Sequence, residues 1–203
     1  MPDLMPNPTA MFTRYGMMFP CDCDVLDACL ADLLTRKAHL RVLEIGGYNG
    51  DTARGMKKFV EEHGGTLEYW GIDPGLVLHH VDLPFEGAHM IEGKSEWSFH
   101  LVPDNLDLVF CDGDHSRNAV ILDTFNYSGK VLPGGFFLFH DTNPLSQGTG
   151  YEYEGPPHIP QFGIAVMEAW DLMKWPWAPW EFFMERIPEG HHQNGMTAFF
   201  KRP

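Results

Sequence analysis

The sequence predicts an α/β fold built on a mostly parallel β-sheet. Short apolar runs alternate with helical stretches, and each run in the first two thirds of the chain ends in glycine or acidic residues. This alternation implies right-handed crossovers, which bring the carboxyl ends of the strands to one edge, where ligands bind. The length of 203 residues and the lack of internal repeats favour a single domain over residues 1–203.

The order of elements follows from periodicity and turn residues. Residues 1–22 carry several prolines and no regular period, so we expect an irregular, mobile arm there. An amphipathic stripe that begins at Val25, behind a cap at Asp22 or Asp24, predicts the first helix, and residues 51–62 predict the second. Residues 164–174 predict another helix. The predicted strands are 40–45, 67–72, 88–91, 106–111, 136–139, 180–187 and 196–201, and the last two form an antiparallel hairpin.

Charge and composition exclude several classes of partner. Fourteen Lys and Arg against 28 Asp and Glu give a net charge of −14, which repels nucleic acids and anionic membrane surfaces. No run of 18 apolar residues is present, so no membrane span is expected. Four cysteines are too few for a disulfide scaffold, and no signal peptide is evident, so we expect the reducing cytoplasm. A zinc site at Cys21, Cys23 and Cys29 is less favoured than a buried Cys29.

The segment VLEIGGYNG, residues 42–50, places an acid and two glycines four residues apart between a strand and a helix. Glycines there let the backbone approach a ligand, and a helix amino terminus stabilises negative charge. A phosphate-binding loop fits poorly, since the nearest string, residues 87–95, has the wrong spacing. A dinucleotide fingerprint requires glycine at the positions of Tyr48 and Asp51.

The pattern Glu44-x-Gly46-x-Tyr48-x-Gly50 resembles class I S-adenosylmethionine-dependent methyltransferases, especially the catechol O-methyltransferase-like and sugar O-methyltransferase branches. The strings DLVFCDGDHS and LPGGFFLFHDTNP are similar to the fourth and fifth strands of these enzymes, and the resemblance covers residues 25–202. It implies a Rossmann-like, seven-stranded fold with helices on both faces. It also implies an S-adenosylmethionine site with Asp73 on the ribose hydroxyls and the segment after the third strand on the adenine. The implied cofactor-binding residues are Glu44, Gly46, Gly47, Tyr48, Gly50, Asp73, Gly93, Ser95 and Asp112.

Acids and imidazoles follow the fourth and fifth predicted strands, and this pattern suits Mg²⁺ or a similar divalent cation. The resemblance places metal ligands at Asp112 and Asp141, with Asn143 as a third. His140 and Thr142 depart from the acids or Asp-Asn pair of metal-dependent relatives. For proton removal we favour Asp114 or His115. Alternatively, these two residues only begin the following helix.

The sequence thus predicts methyl transfer to a hydroxyl oxygen of a small molecule or sugar. Residues 143–162 are expected to form a substrate loop or lid, with Tyr151, Tyr153 and His158 as candidate contacts. Three alternatives stay open: a metal-bearing relative of the cephalosporin hydroxylase type, a non-catalytic partner protein that keeps the nucleoside pocket, and an NAD enzyme. Relatives of this fold often pair, so a homodimer is also open.

Overall fold

Seven strands form one sheet in the computed structural model, which describes residues 12–75, 85–142, 179–186 and 195–203. Along the chain, the strands are β1 (Phe12–Thr13), β2 (Gly16–Met17), β3 (His39–Ile45), β4 (Thr66–Asp73), β5 (Ala88–Glu92), β6 (Leu106–Cys111), β7 (Val131–His140), β8 (Trp180–Arg186) and β9 (Met196–Lys201). The α-helices are α1 (Pro20–Leu34), α2 (Asp51–Glu62), α3 (Ser95–Ser98) and α4 (Arg117–Tyr127), and short 3₁₀ turns follow α3 and α4.

The sheet has the order β5-β4-β3-β6-β7-β9-β8. The first five of these strands are parallel, whereas β9 runs antiparallel to both β7 and β8. β3 and β6 are neighbours although α2, β4 and β5 separate them in sequence, so the strand order reverses between them. The predicted Rossmann-like fold with an antiparallel carboxyl-terminal hairpin is confirmed.

Alternate residues of the central strands pack into two separate cores, one on each face of the sheet. Val42, Leu108 and Phe136 face a core that also contains α1 and α2. Their neighbours, such as Leu43 and Val109, face a second core that includes side chains of α4. Because both faces are covered, the central strands are continuously apolar, as β6 shows with all six residues buried. Helices therefore flank both faces, as predicted.

The sequence predicts an irregular arm for residues 1–22, but residues 12–22, the part of it that the structure describes, form regular elements. β1 and β2 form a short hairpin, and the side chains of Tyr15 and Met18 are buried in the first core. α1 begins at Pro20, five residues before the apolar stripe, because proline suits the first helical position. Asp22 lies in the first turn of α1, and its Oδ2 accepts the Phe19 N–H at 3.2 Å. Asp22 therefore caps the helix as predicted, although it belongs to the helix and does not precede it.

β7 is longer than the predicted strand 136–139, because its first residues pass through a kink that reads as a turn in sequence. Leu106 pairs with Val131, and the register then shifts before Leu108 pairs with Phe136. Gly134 has a φ of +84°, and a Cβ on Gly135 would lie 2.6 Å from the Asp107 carbonyl oxygen. The two glycines therefore let the strand bend against β6.

Two further predictions, the helix at 164–174 and the substrate loop at 143–162, lie outside the described residues. Among the helices that are described, none is long and apolar enough to cross a membrane.

Candidate functional site

The loop from Gly46 to Gly50 connects β3 to α2 at the carboxyl edge of the sheet. The Gly46 and Gly47 N–H groups donate to the Ile72 carbonyl at 2.8 and 3.2 Å, which holds the loop against the end of β4. Gly50 has a φ of +76° and is the residue before the first turn of α2. The amino end of this 12-residue helix therefore faces the edge of the sheet.

Gly46 is required by packing between two protein loops. Its φ is +92°, and a Cβ there would lie 2.2 Å from the carbonyl oxygen of Asp112 and 2.9 Å from the Cα of Gly113. A Cβ on Gly47 would be 3.3 Å from its nearest neighbour, the Cε of Met90, which is a flexible side chain. The first glycine thus brings the loop after β3 onto the loop after β6.

Asp73 ends β4 and ties the glycine loop to its own turn. Its Oδ2 accepts the Tyr48 N–H at 2.9 Å, and its Oδ1 accepts the Gly75 N–H at 2.6 Å. Tyr48 has a φ of +35° and its side chain is 44% exposed, so the ring projects from the edge. A non-glycine residue in this conformation is uncommon and is found more often at functional sites.

Glu44 lies beneath the glycine loop with only 1% of its surface exposed. The Tyr69 hydroxyl donates to its Oε2. Burial raises the pKa of Glu44 to about 8, and the negative charges of Asp112 and Asp73 add to the rise, whereas hydrogen bonds from Tyr69 and Thr52 oppose it. The raised pKa favours the protonated form of Glu44, which supports the loop from below.

Gly93 follows β5 and lies beside Asp73, and Ser95 begins α3 two residues later. The Gly93 N–H donates to the Asp73 carbonyl at 3.2 Å, and Gly93 has a φ of +152°. The Ser95 carbonyl accepts the Tyr127 hydroxyl at 2.7 Å, which links α3 to α4. These two residues therefore extend the edge formed by the glycine loop and Asp73.

A cluster of four side chains follows β6 and β7. It comprises Asp112, His115, His140 and Asp141, each with one nitrogen or oxygen atom within 4.8 Å of those of the others. Asp112 Oδ1 is 2.9 Å from His140 Nδ1 and 3.3 Å from His115 Nε2. Asp141 completes the cluster, with carboxylate oxygens 3.5 Å from His115 Nε2 and 3.6 Å from His140 Nδ1.

The charges of the cluster stabilise one another. Burial opposes ionisation of Asp112, but the imidazoles of His140 and His115 outweigh it and hold the pKa of that carboxyl well below its usual range. Burial also opposes charge on His115 and His140, but the carboxylates, Asp112 above all, raise the pKa of both rings. Two carboxylates and two imidazoles around one point form a donor set that fits a divalent cation.

Asp114 does not join the cluster. Its side chain is exposed, and its Oδ1 accepts the Ser116 N–H at 2.8 Å just before α4 begins. Asp141 has a φ of +55°, a left-handed conformation that aspartate adopts more readily than most other non-glycine residues. Asn143, Tyr151, Tyr153 and His158 lie outside the described residues.

Asp22 belongs to the site although sequence reasoning assigns it only to a helix cap. It is fully buried, and its Oδ2 lies 3.3 Å from His140 Nε2, 118 residues away in sequence. The only signal in the sequence is an acid in the first turn of a helix, which is common and points to capping. The contact depends on how α1 packs against the end of β7.

Comparisons with known proteins agree with this geometry. Residues 43–142, which run from β3 to the turn after β7, match a family model described as a methyltransferase domain. A search of the curated proteins finds no match to this sequence.

Solved structures of similar fold include several methyltransferases. An rRNA methylase from Streptococcus thermophilus has a TM-score of 0.58 at 11% identity, over 90% of this chain and 97% of that chain. The MycE methyltransferase of the mycinamycin biosynthetic pathway, solved with Mg, SAH and mycinamycin VI, has a TM-score of 0.58 at 18% identity. That match covers 88% of this chain and 49% of that chain, so this chain spans about half the length of MycE. SAH-bound PaMTH1 from Podospora anserina has a TM-score of 0.54 at 17% identity, over 87% of this chain and 77% of that chain. At these identities the likeness is one of fold.

Proposed function

We propose that this protein is an S-adenosylmethionine-dependent methyltransferase that methylates a hydroxyl oxygen of a small molecule, assisted by a divalent cation. Residues 43–142 match a methyltransferase-domain model, and the fold is shared with solved methyltransferases. The observation that carries the proposal is the position of the Asp112 cluster. It lies directly beside the glycine loop, because Gly46 packs on the Asp112 carbonyl. The cofactor-binding edge and a group of ionisable side chains therefore meet at the same place.

The cofactor edge consists of Tyr48, Asp73, Gly93 and Ser95. S-adenosylmethionine, when bound, supplies an activated methyl group on a positively charged sulfur, so the protein has to position the acceptor rather than activate the donor. Asp73 offers carboxylate oxygens for ribose hydroxyls while its bonds to two backbone N–H groups hold it in place. Glu44, being buried, would act on the cofactor through the shape of the loop.

His115 is the better candidate for the proton acceptor. Its Nε2 faces both Asp112 and Asp141, whereas Asp114 is exposed and engaged at the start of α4. The two carboxylates raise the pKa of His115, which favours a protonated ring. A cation held by the two carboxylates would neutralise their charge and favour the neutral ring, whose Nε2 would then accept the hydroxyl proton.

Asp112 and Asp141 would hold the cation. A cation there supplies charge that lowers the pKa of a bound hydroxyl. The presence of Mg and mycinamycin VI in the MycE structure supports this chemistry by analogy of fold. The net charge of −14 favours a small acceptor over RNA, even though an rRNA methylase shares the fold.

The experiment has two stages. Calorimetry with S-adenosylmethionine, S-adenosylhomocysteine and NADH first identifies the cofactor. Purified protein is then incubated with S-adenosylmethionine and either a panel of small hydroxyl compounds or RNA, and S-adenosylhomocysteine is measured by mass spectrometry. We expect product with a small hydroxyl acceptor and with a divalent cation present. Binding of NADH alone, or methylation of RNA alone, would contradict the proposal.

Two variants test the assignment of the base. His115→Gln should lower kcat by roughly 10²–10⁴-fold, which is the usual contribution of a general base. Asp114→Asn is the matched control, since it changes the neighbouring acid but keeps an oxygen for the Ser116 N–H, and it should lower kcat less than about tenfold. The opposite order would assign the base to Asp114.

A further inference from the structure

We infer that His140 is a nitrogen ligand of the cation, fixed in place by Asp22, and that the site therefore selects a transition-metal ion over Mg²⁺. The inference deepens the proposed function, because it rests on a cation held by Asp112 and Asp141. It concerns which ion is bound and which residues of this chain select it.

The distances allow His140 to share one ion with both carboxylates. His140 Nδ1 is 2.9 Å from Asp112 Oδ1 and 3.6 Å from Asp141 Oδ1. Two ligand atoms that are each about 2.0–2.2 Å from an ion, at roughly right angles, lie about 3 Å apart. The two carboxylate oxygens therefore lie from His140 Nδ1 at nearly the spacing of neighbouring ligands, and His115 Nε2 is 3.3 Å from the same Asp112 oxygen.

Asp22 gives the His140 ring a single orientation. Its carboxylate is fully buried, and its Oδ2 contacts both His140 Nε2, at 3.3 Å, and the Phe19 N–H, at 3.2 Å. The ring is itself only 6% exposed and packs edge-on against Phe110. With Nε2 bonded to Asp22, Nδ1 is the nitrogen that faces the two carboxylates. A carboxylate behind the far nitrogen of an imidazole is the arrangement that orients metal-binding histidines in proteins.

The ligand set determines the class of ion. Mg²⁺ prefers oxygen ligands in octahedral geometry and keeps much of its water, whereas imidazole suits later transition-metal ions such as Fe²⁺, Co²⁺ and Zn²⁺. An acid at position 140 would give three carboxylates and leave His115 as the one imidazole of the four-residue cluster. His140, held by the buried Asp22 of α1, supplies a nitrogen ligand instead, so the site favours a transition-metal ion over Mg²⁺.

The test measures metal binding directly. Metal-free protein is titrated with Co²⁺ and, separately, with Mg²⁺ by calorimetry, and the visible absorption of bound Co²⁺ reports nitrogen ligation. We expect Co²⁺ to bind more than about 100-fold tighter than Mg²⁺. His140→Asp should reduce that ratio at least about tenfold, because it replaces one of the two imidazoles of the cluster by a carboxylate. His89→Gln, which changes an exposed histidine on β5, is the control and should leave the ratio unchanged.

Asp22→Asn provides a second test, in case the His140 variant does not fold. It keeps the size of the buried side chain and should weaken Co²⁺ binding roughly 10–100-fold, the usual effect of losing an outer partner of a metal ligand. Circular dichroism checks that each variant is folded.

The outcomes separate this inference from the proposed function. A Co²⁺ to Mg²⁺ ratio that is the same in wild type and folded His140→Asp overturns the inference, as does undiminished Co²⁺ affinity in Asp22→Asn. Either result would leave methyl transfer standing if S-adenosylhomocysteine is still produced. Selective Co²⁺ binding without binding of S-adenosylmethionine would support the metal site and overturn the proposed function.

Discussion

Replacing Glu44 by glutamine tests whether the carboxyl group beneath the glycine loop is protonated in the folded protein. Burial raises the pKa of Glu44 from 4.5 to about 8. Because each pKa unit corresponds to about 1.36 kcal/mol, a rise of this size is worth about 5 kcal/mol. The groups that face Glu44 come from two elements and the loop after β6: Tyr69 and Asp73 on β4, Thr52 on α2, and Asp112.

The sign follows from the proton count. Below about pH 4.5 Glu44 is protonated in both states, so the group then makes its full contribution to stability. Between that pH and about 8 the unfolded chain has lost the proton and the folded protein has kept it, so stability falls as the pH rises. Glutamine resembles the protonated acid and does not titrate. The difference in unfolding free energy, wild type minus Glu44→Gln, should therefore fall by about 1.4 kcal/mol per pH unit across this range.

Urea unfolding followed by tryptophan fluorescence, at half-unit steps from pH 5 to 8, measures this difference. Titrations of other groups are common to both proteins and cancel in the subtraction. Glu62→Gln is the control, because Glu62 lies exposed on α2 and its replacement should give no comparable slope. A wild-type minus Glu44→Gln difference that does not change with pH would refute the protonated, buried carboxyl group.

Other predictions concern the glycine loop, the cofactor edge and β6. Gly46→Ala should cost roughly 2–4 kcal/mol and abolish S-adenosylhomocysteine binding, because its Cβ would meet a carbonyl oxygen at 2.2 Å. Gly64→Ala, with a φ of +77° but no atom within 4 Å, should cost only about 1–2 kcal/mol in urea unfolding. Asp73→Ala should weaken calorimetric binding of S-adenosylhomocysteine by roughly 1–3 kcal/mol, and unchanged affinity would contradict its role. Asp107→Ala should lower the free energy of unfolding by roughly 1–3 kcal/mol. This buried carboxylate accepts hydrogen bonds from Lys37 Nζ at 2.7 Å and from the Arg41 backbone N–H at 2.8 Å. The control is Asp104→Ala, at an exposed site, which should change the free energy of unfolding by less than about 0.5 kcal/mol. Equal losses in the two variants would contradict a stabilising role for the buried Asp107 carboxylate.

The strands and the second helix could be predicted because their signals are local. Apolar runs such as 106–111 and the helix at 51–62 have the observed bounds. The sequence predicts the start of α1 too late, since the residue before Pro20 is a phenylalanine, which gives no side-chain capping signal. It also predicts too short a β7, because Gly134 and Gly135 indicate a turn until the neighbouring strand is known.

The site was predictable where residues follow the ends of strands and unpredictable where it depends on packing. Asp112 and Asp141 are brought together by parallel neighbouring strands, as expected. The partnership of Asp22 with His140 requires the position of α1 against the sheet, which no local pattern specifies. In the same way, the sequence places Glu44 at the edge, but only the fold shows that its carboxyl group is buried under the loop.

The position of β9 affects how the chain folds during synthesis. β9 lies between β7 and β8, so β8 joins the sheet through a strand that leaves the ribosome after it. The partner of β7 on that side is likewise missing until residues 196–201 emerge. During translation β7, with its apolar residues 136–139, therefore presents an open edge that other chains can pair with. Pairing of β9 with β7 and β8 completes the sheet. Nascent chains stalled before residues 196–201 emerge should therefore bind chaperones more strongly than the folded protein does.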